Sequence, residues 1–107
     1  MTRVGFTFKV RSENIEEYKR HQDVLWPALR EALSRHGWKN YSQFMQSDGQ
    51  VFAYFETPDS FQAAFEGIST EVINSRWQEL MTPFLEPIDE DSPDLNMIEL
   101  EEVFHLD

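Results

Sequence analysis

The chain has 107 residues, of which 40% are hydrophobic and 14% aromatic, and this length and composition fit one globular domain spanning 1–107. Nine Lys and Arg against twenty Asp and Glu give a net charge of −11. Nucleic acid, anionic membranes and highly phosphorylated substrates are therefore poor partners, because each requires basic groups. The sequence contains neither a membrane-length apolar run nor a signal-peptide core. It also lacks cysteine, which is typical of the cytoplasm, where we expect the protein to act.

The chain begins with a predicted strand and continues into a long predicted helix. Residues 3–10 alternate between apolar and polar side chains, the period of a strand with one buried face. Ser12 or Asn14 can cap the helix that follows, because their side-chain oxygens accept hydrogen bonds from its first amides. The helical pattern runs to about His36. Gly37 ends it, since glycine readily adopts the left-handed conformation found after helices.

This predicted helix carries a polar pair that faces inward. Tyr18 and Gln22 are four residues apart and therefore lie one turn apart on the same face. That face also carries the apolar residues Ile15, Leu25, Leu29 and Leu33. The pair thus points toward the core, where polar groups require partners. Pro27 follows in the same pattern and cannot donate to the carbonyl of Asp23, which predicts a kink.

The middle of the chain predicts a β-hairpin. Residues 41–46 and 50–55 flank Ser47-Asp48-Gly49, a turn signal between two strands. The second strand of this hairpin has apolar side chains on both faces. Its residues on one face are Val51, Ala53 and Phe55, and those on the other are Phe52 and Tyr54. Both faces of the sheet therefore need to be covered at this strand.

The second half of the chain predicts two short helices, a loop and a last strand. Thr57-Pro58 is expected to begin the first helix, with threonine as its cap, and Gly67 is expected to close it. The second helix is predicted over 70–81. An acidic loop at 86–94 then leads to a predicted strand over 99–106.

The element order is β-α-β-β-α-β, with the second helical region split in two. This is the order of a ferredoxin-like split βαβ unit, so the predicted class is α+β, an antiparallel sheet with helices on one face. The other face needs a second layer, and no helix remains to supply it. A second copy of the chain, packed sheet on sheet as a homodimeric α/β barrel, is one solution. A ligand pocket lined by the aromatic residues of a monomer is the other.

Few side chains in the sequence carry chemistry near neutral pH. It has no Gly-x-Ser-x-Gly motif and no glycine-rich phosphate loop. No histidine pair stands at metal-ligand spacing, and the acidic run near the C-terminus lacks the glycine and final glutamate of a calcium loop, so we expect no metal. Of the three histidines, His36 suits a helix end and His21 lies at the edge of the buried stripe. His105 alternates with Val103 and faces either the core or a pocket.

Five sequence motifs, spread over nearly the whole chain, occur in the order found in a known protein family. They are Glu17-Tyr18-Lys19-Arg20-His21, Trp26-Pro27, His36-Gly37-Trp38-Lys39-Asn40-Tyr41-Ser42, Arg76-Trp77 with Met81, and Leu100-Glu101-Glu102-Val103-Phe104-His105-Leu106. Together they resemble the L-rhamnose mutarotases. The resemblance implies dimeric ferredoxin-like subunits without metal or cofactor. It also implies an isomerase of the aldose 1-epimerase type, which interconverts the α and β anomers of a six-carbon deoxy sugar.

The resemblance further implies which residues bind the sugar. Tyr18 and Tyr41 match tyrosines that contact it, and Trp77 matches a tryptophan that packs on it. The family's second tryptophan falls on Gln78, whose amide can still hydrogen-bond a hydroxyl. A neutral sugar needs stacking and hydrogen bonds rather than a charged clamp.

Position 22 matters for catalysis, because the family has its proton donor there. Mutarotation requires one group to remove the anomeric hydroxyl proton while another protonates the ring oxygen, and such acid–base catalysis contributes about 10²–10⁴ in rate. The family's proton-donor histidine falls on Gln22, which can hold a hydroxyl but cannot act as a general acid or base. Tyr18, His21 and His105 are the candidate replacements.

Three functions remain open from the sequence. The first is an active mutarotase on L-rhamnose or a related neutral sugar. The second is a catalytically impaired relative that binds the sugar without converting it. The third rests on fold analogy alone: cofactor-free oxygenases use similar dimeric α/β barrels, with an extended apolar pocket for an aromatic substrate. We favour the first, because the resemblance covers nearly the whole chain and spontaneous mutarotation is already easy.

Overall fold

A computed structural model of the chain describes residues 1–86 and 97–106. The strands in these residues are β1 (Thr2–Val10), β2 (Lys39–Met45), β3 (Gln50–Thr57), β4 (Leu85–Glu86) and β5 (Ile98–Leu100). The α-helices are α1 (Ile15–Asp23), α2 (Pro27–Arg35), α3 (Phe61–Ser69) and α4 (Val72–Met81). Short 3₁₀ helices at Ser12–Asn14 and Thr82–Phe84 precede α1 and follow α4. No helix in the described part of the chain is both long and apolar enough to cross a lipid bilayer.

The strands form one antiparallel sheet in the order β2-β3-β1-β4, and β5 also pairs with β1. The longest ladder joins β1 to β3 and runs from Thr2 opposite Thr57 to Lys9 opposite Gln50. The last strands return to the other side of β1, where Leu100 pairs with Gly5. This topology confirms the predicted α+β class and the ferredoxin-like split βαβ order.

The core lies between the sheet and the helices. The inward residues of β1 and β3 follow the alternation read from the sequence and are at most 5% exposed: Val4, Phe6, Phe8, Val10, Val51, Ala53 and Phe55. Full burial of one large apolar side chain stabilises the fold by about 1.5–3 kcal/mol. The two central strands therefore anchor the helical layer.

The sequence predicts one long helix over 12–36 with a kink at Pro27. This prediction is wrong in one respect, because the helix is interrupted before Pro27 and continues as a second helix. Helix α1 ends at Asp23, and Pro27 is the first residue of α2. The residue before a proline is sterically disfavoured in the helical region, and Trp26 has φ −57° and ψ 130°. As a result Trp26 leaves the helix axis, and its ring centroid lies 5.0 Å from that of Trp77.

The predicted bounds of the third helix are also wrong. Thr57 remains in β3, and Ser60 caps α3 by accepting a hydrogen bond from the backbone amide three residues later. The helix then passes through Gly67 and ends at Ser69. Gly67 is needed for close packing, since a Cβ there would lie 2.6 Å from Nδ1 of His36. The glycine therefore marks a helix contact and not a helix end.

Two turns follow the sequence prediction. Gly37, after α2, has φ +83°, the left-handed conformation expected of a residue that ends a helix. Gly49, in the hairpin, has φ +95°, and a Cβ at this position would collide with the carbonyl oxygen of Val10. The hairpin is closed by a 2.8 Å hydrogen bond from the Gln46 amide to the Gln50 carbonyl. These geometries confirm the predicted helix end and hairpin.

The last strand is shorter than predicted. It covers Ile98–Leu100, and residues 101–106 have no regular secondary structure. Because Leu100 pairs with Gly5, only a short stretch of β1 remains beyond that point to pair with. Arg3 instead holds Glu102 through two N–H groups, at 3.2 and 2.9 Å. Of the loop predicted at 86–94, Glu86 belongs to β4 and the rest lies outside the described residues.

The sheet face opposite the helices is rich in exposed apolar side chains. Phe44 of β2 and Phe52 of β3 are directly opposite each other and are 66% and 40% exposed. Ile98 and Leu100 of β5 lie opposite Thr7 and Gly5 and are 48% and 41% exposed. Soluble monomers rarely expose a contiguous apolar patch of this kind without a function for it.

Candidate active site

A cavity of about 590 Å³ lies between the sheet and the helices. This volume is within the range of small-molecule sites, about 300–1,000 Å³. Its apolar wall includes Phe8, Leu29, Trp38, Ile68 and Trp77, and its polar lining includes Tyr18, Gln22, Tyr41, Gln43, Asn74 and Gln78. The exposed residues Ser69, Ser75, Glu79 and Thr82 also line it and mark its mouth. Hydroxyl and amide groups therefore dominate its polar lining.

One glutamine joins two tyrosines in the lining of this cavity. The Tyr18 hydroxyl donates to Oε1 of Gln43 over 2.7 Å, and Nε2 of Gln43 donates to the Tyr41 oxygen over 2.7 Å. Tyr18 comes from α1, whereas Tyr41 and Gln43 are alternate residues of β2 and share its inward face. This three-residue chain, Tyr18–Gln43–Tyr41, ties the helical layer to the sheet.

Both tyrosines are neutral at physiological pH. Burial is the main cause that raises the pKa of Tyr18 far above its ordinary value, and the nearby Tyr41 adds to it. Burial also raises the pKa of Tyr41 to about 12, and the hydrogen bond from Gln43 acts in the opposite direction. Each phenol is therefore protonated at rest and is not a phenolate.

Gln22 faces the cavity, as its spacing from Tyr18 predicted. Its Nε2 atom lies 3.9 Å from the sulfur of Met81, which is a weak acceptor. A ligand hydroxyl would be a better partner for the same N–H group. Gln78 lines the cavity from α4, so two amide side chains can each offer a donor and an acceptor.

Trp77 forms part of the wall and is 6% exposed. The Trp26 ring meets it edge-on at 81°, and the His21 ring meets it at 87° with 6.4 Å between centroids. His21 also stacks on Phe84, with centroids 5.5 Å apart. The indole is thereby held in place by aromatic neighbours on more than one side.

The structure gathers most, but not all, of the residues predicted for the site. Tyr18, Gln22, Tyr41, Trp77 and Gln78 all line the one cavity.

The two histidines proposed as substitutes for the acid lie elsewhere. His21 is not among the residues that line the cavity, and its ring packs on Phe84 and Trp77. His105 lines a separate pocket of about 240 Å³, together with Arg3, Gly5 and other residues of the edge where β5 meets β1. Their role as proton donors stays a prediction, and neither histidine is among the described residues that line the cavity.

The sequence interpretation missed polar residues that the cavity uses. Gln43 was overlooked, although strand alternation places it on the same face as Tyr41. Asn74 was overlooked too, although it is four residues before Gln78 on α4 and so shares its face. Strand alternation from Tyr41 would have found Gln43, and the helical spacing that identified Gln22 would have found Asn74. Glu79, an ionisable residue that lines the mouth of the cavity, was also overlooked.

Metal ligands do not cluster in the described residues: residues 1–86 and 97–106 contain no group of three or more His, Cys, Asp and Glu placed to hold an ion. The cavity lining offers phenols, amides and an indole, together with the Glu79 carboxyl group at the mouth. The fold and site together define a ferredoxin-like α+β protein with a cavity whose polar lining is mainly hydroxyl and amide groups.

The chain belongs to the L-rhamnose mutarotase family, whose family model matches residues 3–106. It is 36% identical over 108 residues to the L-rhamnose mutarotase of Lactiplantibacillus plantarum, with 100% of both chains covered. Its structure is similar to that of an L-rhamnose mutarotase from Formosa agariphila, with a TM-score of 0.82, 25% identity and 100% of both chains covered. A dimeric ferredoxin-like protein from an uncultured marine organism shares the fold, with a TM-score of 0.57 and 13% identity over 97% of this chain and 91% of that one.

Proposed function

We propose that the protein is a mutarotase that interconverts the α and β anomers of L-rhamnose or a closely related neutral sugar. One observation carries this proposal: Tyr18, Tyr41 and Trp77, which match sugar-contacting positions of the family, converge on a single cavity. The full-length similarity to L-rhamnose mutarotases supports it.

The lining suits a sugar that bears hydroxyl groups and no charge. The amides of Gln22 and Gln78 can each donate and accept hydrogen bonds, and the phenols of Tyr18 and Tyr41 stay neutral. The apolar face of a pyranose ring can pack on the Trp77 indole, a large apolar surface with a fixed orientation. Opening the hemiacetal then requires a proton for the ring oxygen and an acceptor for the anomeric proton.

A second candidate function is sugar binding without catalysis. Gln22 favours it, because this residue occupies the position of the family's proton donor and cannot exchange protons. An oxygenase-type reaction is less well supported, since the amides and hydroxyls of the lining suit a polyhydroxylated ligand better than an extended aromatic one.

The deciding measurement is the exchange rate between the two anomers of L-rhamnose, observed by NMR saturation transfer. A mutarotase raises this rate in proportion to protein concentration. Lys19→Ala, a change on the exposed face of α1, is the control and leaves the rate unchanged. If the rate stays at that of buffer while calorimetry detects rhamnose binding, the protein is a binding relative; if neither is seen, both functions fail.

We also propose a homodimer of single-domain protomers, packed through the open sheet face. The exposed Phe44, Phe52, Ile98 and Leu100 lie on that face, and burying them against a second copy removes them from water. A fold neighbour described as dimeric and ferredoxin-like supports this arrangement. The absence of cysteine is in keeping with a cytoplasmic location, which we propose for the same protein.

A further inference from the structure

We propose that Tyr41 donates the proton to the sugar ring oxygen, and that Gln43 is the positioning residue that gives Tyr41 this role. The inference rests on the proposed mutarotase activity and identifies the group that replaces a histidine at position 22. It depends on the direction of the hydrogen bonds in the Tyr18–Gln43–Tyr41 chain.

The two phenols have opposite roles in this chain. A phenol has one hydrogen, and that of Tyr18 is engaged, because the hydroxyl donates to the Gln43 carbonyl over 2.7 Å. Tyr41 instead accepts from the Gln43 N–H over 2.7 Å, which leaves its own hydrogen for another partner. Over residues 1–86 and 97–106, no side chain or backbone group accepts that hydrogen. The cavity is where an acceptor can be supplied.

Burial accounts for this direction of the hydrogen bonds. Tyr18 is 5% exposed, so its hydroxyl requires an acceptor inside the protein. A buried donor without a partner costs about 1–3 kcal/mol. Tyr41 is only partly buried and lines the cavity, where water or a sugar oxygen can accept from it. The amide orientation that satisfies Tyr18 internally is therefore the favourable one.

The same contacts make Tyr41 the easier phenol to ionise. When Tyr41 gives up its proton, the Gln43 N–H continues to donate to the phenolate oxygen and stabilises the negative charge. Burial raises the pKa of Tyr41 to about 12, and it raises the pKa of Tyr18 further. Tyr41 is thus fully protonated at neutral pH, and because its pKa is the lower of the two, it gives up its proton more readily than Tyr18.

Few other groups that face the cavity can exchange protons. Of the described residues that line it, the titratable ones are Tyr18, Tyr41 and the exposed Glu79. Tyr18 belongs to α1, Tyr41 to β2 and Glu79 to α4, and Glu79 is exposed to solvent. Glu79 takes no part in the Tyr18–Gln43–Tyr41 hydrogen-bond chain. Tyr41 remains as the donor.

Ring opening of the sugar transfers two protons. The Tyr41 hydroxyl proton moves to the ring oxygen while the bond between that oxygen and C1 breaks. The anomeric O–H bond supplies the electron pair of the new C1 carbonyl, and its proton passes to a water molecule at the mouth of the cavity. Closure on the other face of C1 reverses both transfers, so Tyr41 regains its proton and the water is restored.

The pH profile of the wild-type protein is the first test. With Tyr41 as donor, the exchange rate, after subtraction of the protein-free rate at each pH, stays constant within about twofold between pH 6 and 8.5. A histidine donor would lose activity as the pH rises through its ordinary pKa near 6.5. A fall of tenfold or more across this range would overturn the inference.

Substitutions are the second test. Tyr41→Phe is expected to lower kcat by about 10²-fold or more, the usual contribution of a general acid. Gln43→Leu removes both hydrogen bonds and is expected to lower kcat about tenfold or more with a smaller change in KM. Gln43→Glu is expected to act in the same direction, because a carboxylate accepts from both phenols and withdraws the hydrogen of Tyr41. Gln46→Leu, at an exposed position just beyond β2, is the matched control and keeps wild-type rates.

The double variant separates positioning from folding. In the Tyr41→Phe background, Gln43→Leu is expected to cause no further loss of kcat, because the residue acts through Tyr41. Fully additive losses would assign Gln43 a structural role and overturn the proposal. If circular dichroism shows that Tyr41→Phe is unfolded, the pH profile of the wild type and the kcat of Gln43→Glu still test the inference.

The outcomes distinguish this inference from the proposed function. A wild-type protein that gives no exchange above buffer removes the mutarotase proposal itself. An active wild type whose Tyr41→Phe variant keeps its rate within threefold leaves the mutarotase standing and removes Tyr41 as donor. A loss confined to Tyr18→Phe would mean that the Gln43 amide is turned the other way, which also overturns the inference.

Discussion

His36 and Glu71 connect the end of α2 to the start of α4 through a side-chain contact of 2.8 Å between Nε2 and Oε2. Arg35 adds a second contact to the same carboxylate at 3.2 Å. Glu71 is the residue before the first turn of α4, where a negative charge is favourable. His36 thus has a structural role at a helix junction, in agreement with its position beside Gly37 in the sequence.

This contact predicts a change of stability with pH. The hydrogen bond from His36, followed by that from Arg35, holds the pKa of Glu71 below its ordinary value of 4.5. The stabilisation is therefore present above pH 4.5 and is lost as the pH falls through the lowered pKa. Glu71→Gln is expected to lower the urea midpoint at pH 7, and this difference from wild type should shrink at pH 3. Glu31→Gln, on the exposed face of α2, serves as control; an unchanged difference at both pH values would contradict the assignment.

Gln22→His is predicted to raise the anomeric exchange rate by about tenfold or more, since it places a general acid in the cavity. The gain should fall as the pH rises above about 6.5, where imidazole loses its proton. Gln22→Leu, which removes the amide without supplying an acid, is the comparison and should not increase the rate. Saturation transfer at pH 6 and pH 8 measures the exchange rates of both variants. A gain for Gln22→His that does not depend on pH would mean that the histidine acts by some route other than proton donation.

Gly37→Ala is predicted to destabilise the protein by about 1–3 kcal/mol. The backbone there has φ +83°, and a Cβ would lie 2.9 Å from Cδ of Pro58. Thermal and urea denaturation measure the loss. The control is Ser34→Ala, at an exposed position in the last turn of α2. Equal stabilities of the two variants would show that the turn accommodates a side chain.

The proposed dimer predicts that Phe52→Lys yields monomers. Phe52 lies on the open face, opposite Phe44, and a lysine there would place one charge from each copy in the symmetric apolar interface. Analytical ultracentrifugation over a concentration series compares the variant with wild type and with Lys19→Ala. A wild type that sediments as a monomer at high concentration would rule out the interface and leave the aromatic face for another ligand.

Much of the fold follows from the periodicity of the chain. Alternation at 3–10 and 50–55 reflects burial on one side of β1 and β3, and the hairpin follows from Gly49, whose backbone conformation excludes a Cβ. Helix bounds were less predictable near Pro27 and Gly67. At Pro27 a local steric rule ended the helix sooner than its apolar stripe indicated. At Gly67 the glycine serves a contact with His36, a residue distant in sequence.

The sequence by itself determined the element order, the inward direction of Tyr18 and Gln22, and the resemblance to the L-rhamnose mutarotases. Those properties depend on residue spacing along one helix or strand and on motif order. Only the tertiary structure decided that Gln43 joins Tyr18 to Tyr41 and that His21 packs on Phe84 and does not line the cavity. Such contacts depend on how α1 crosses the sheet, because they join side chains from elements that spacing along the chain does not relate.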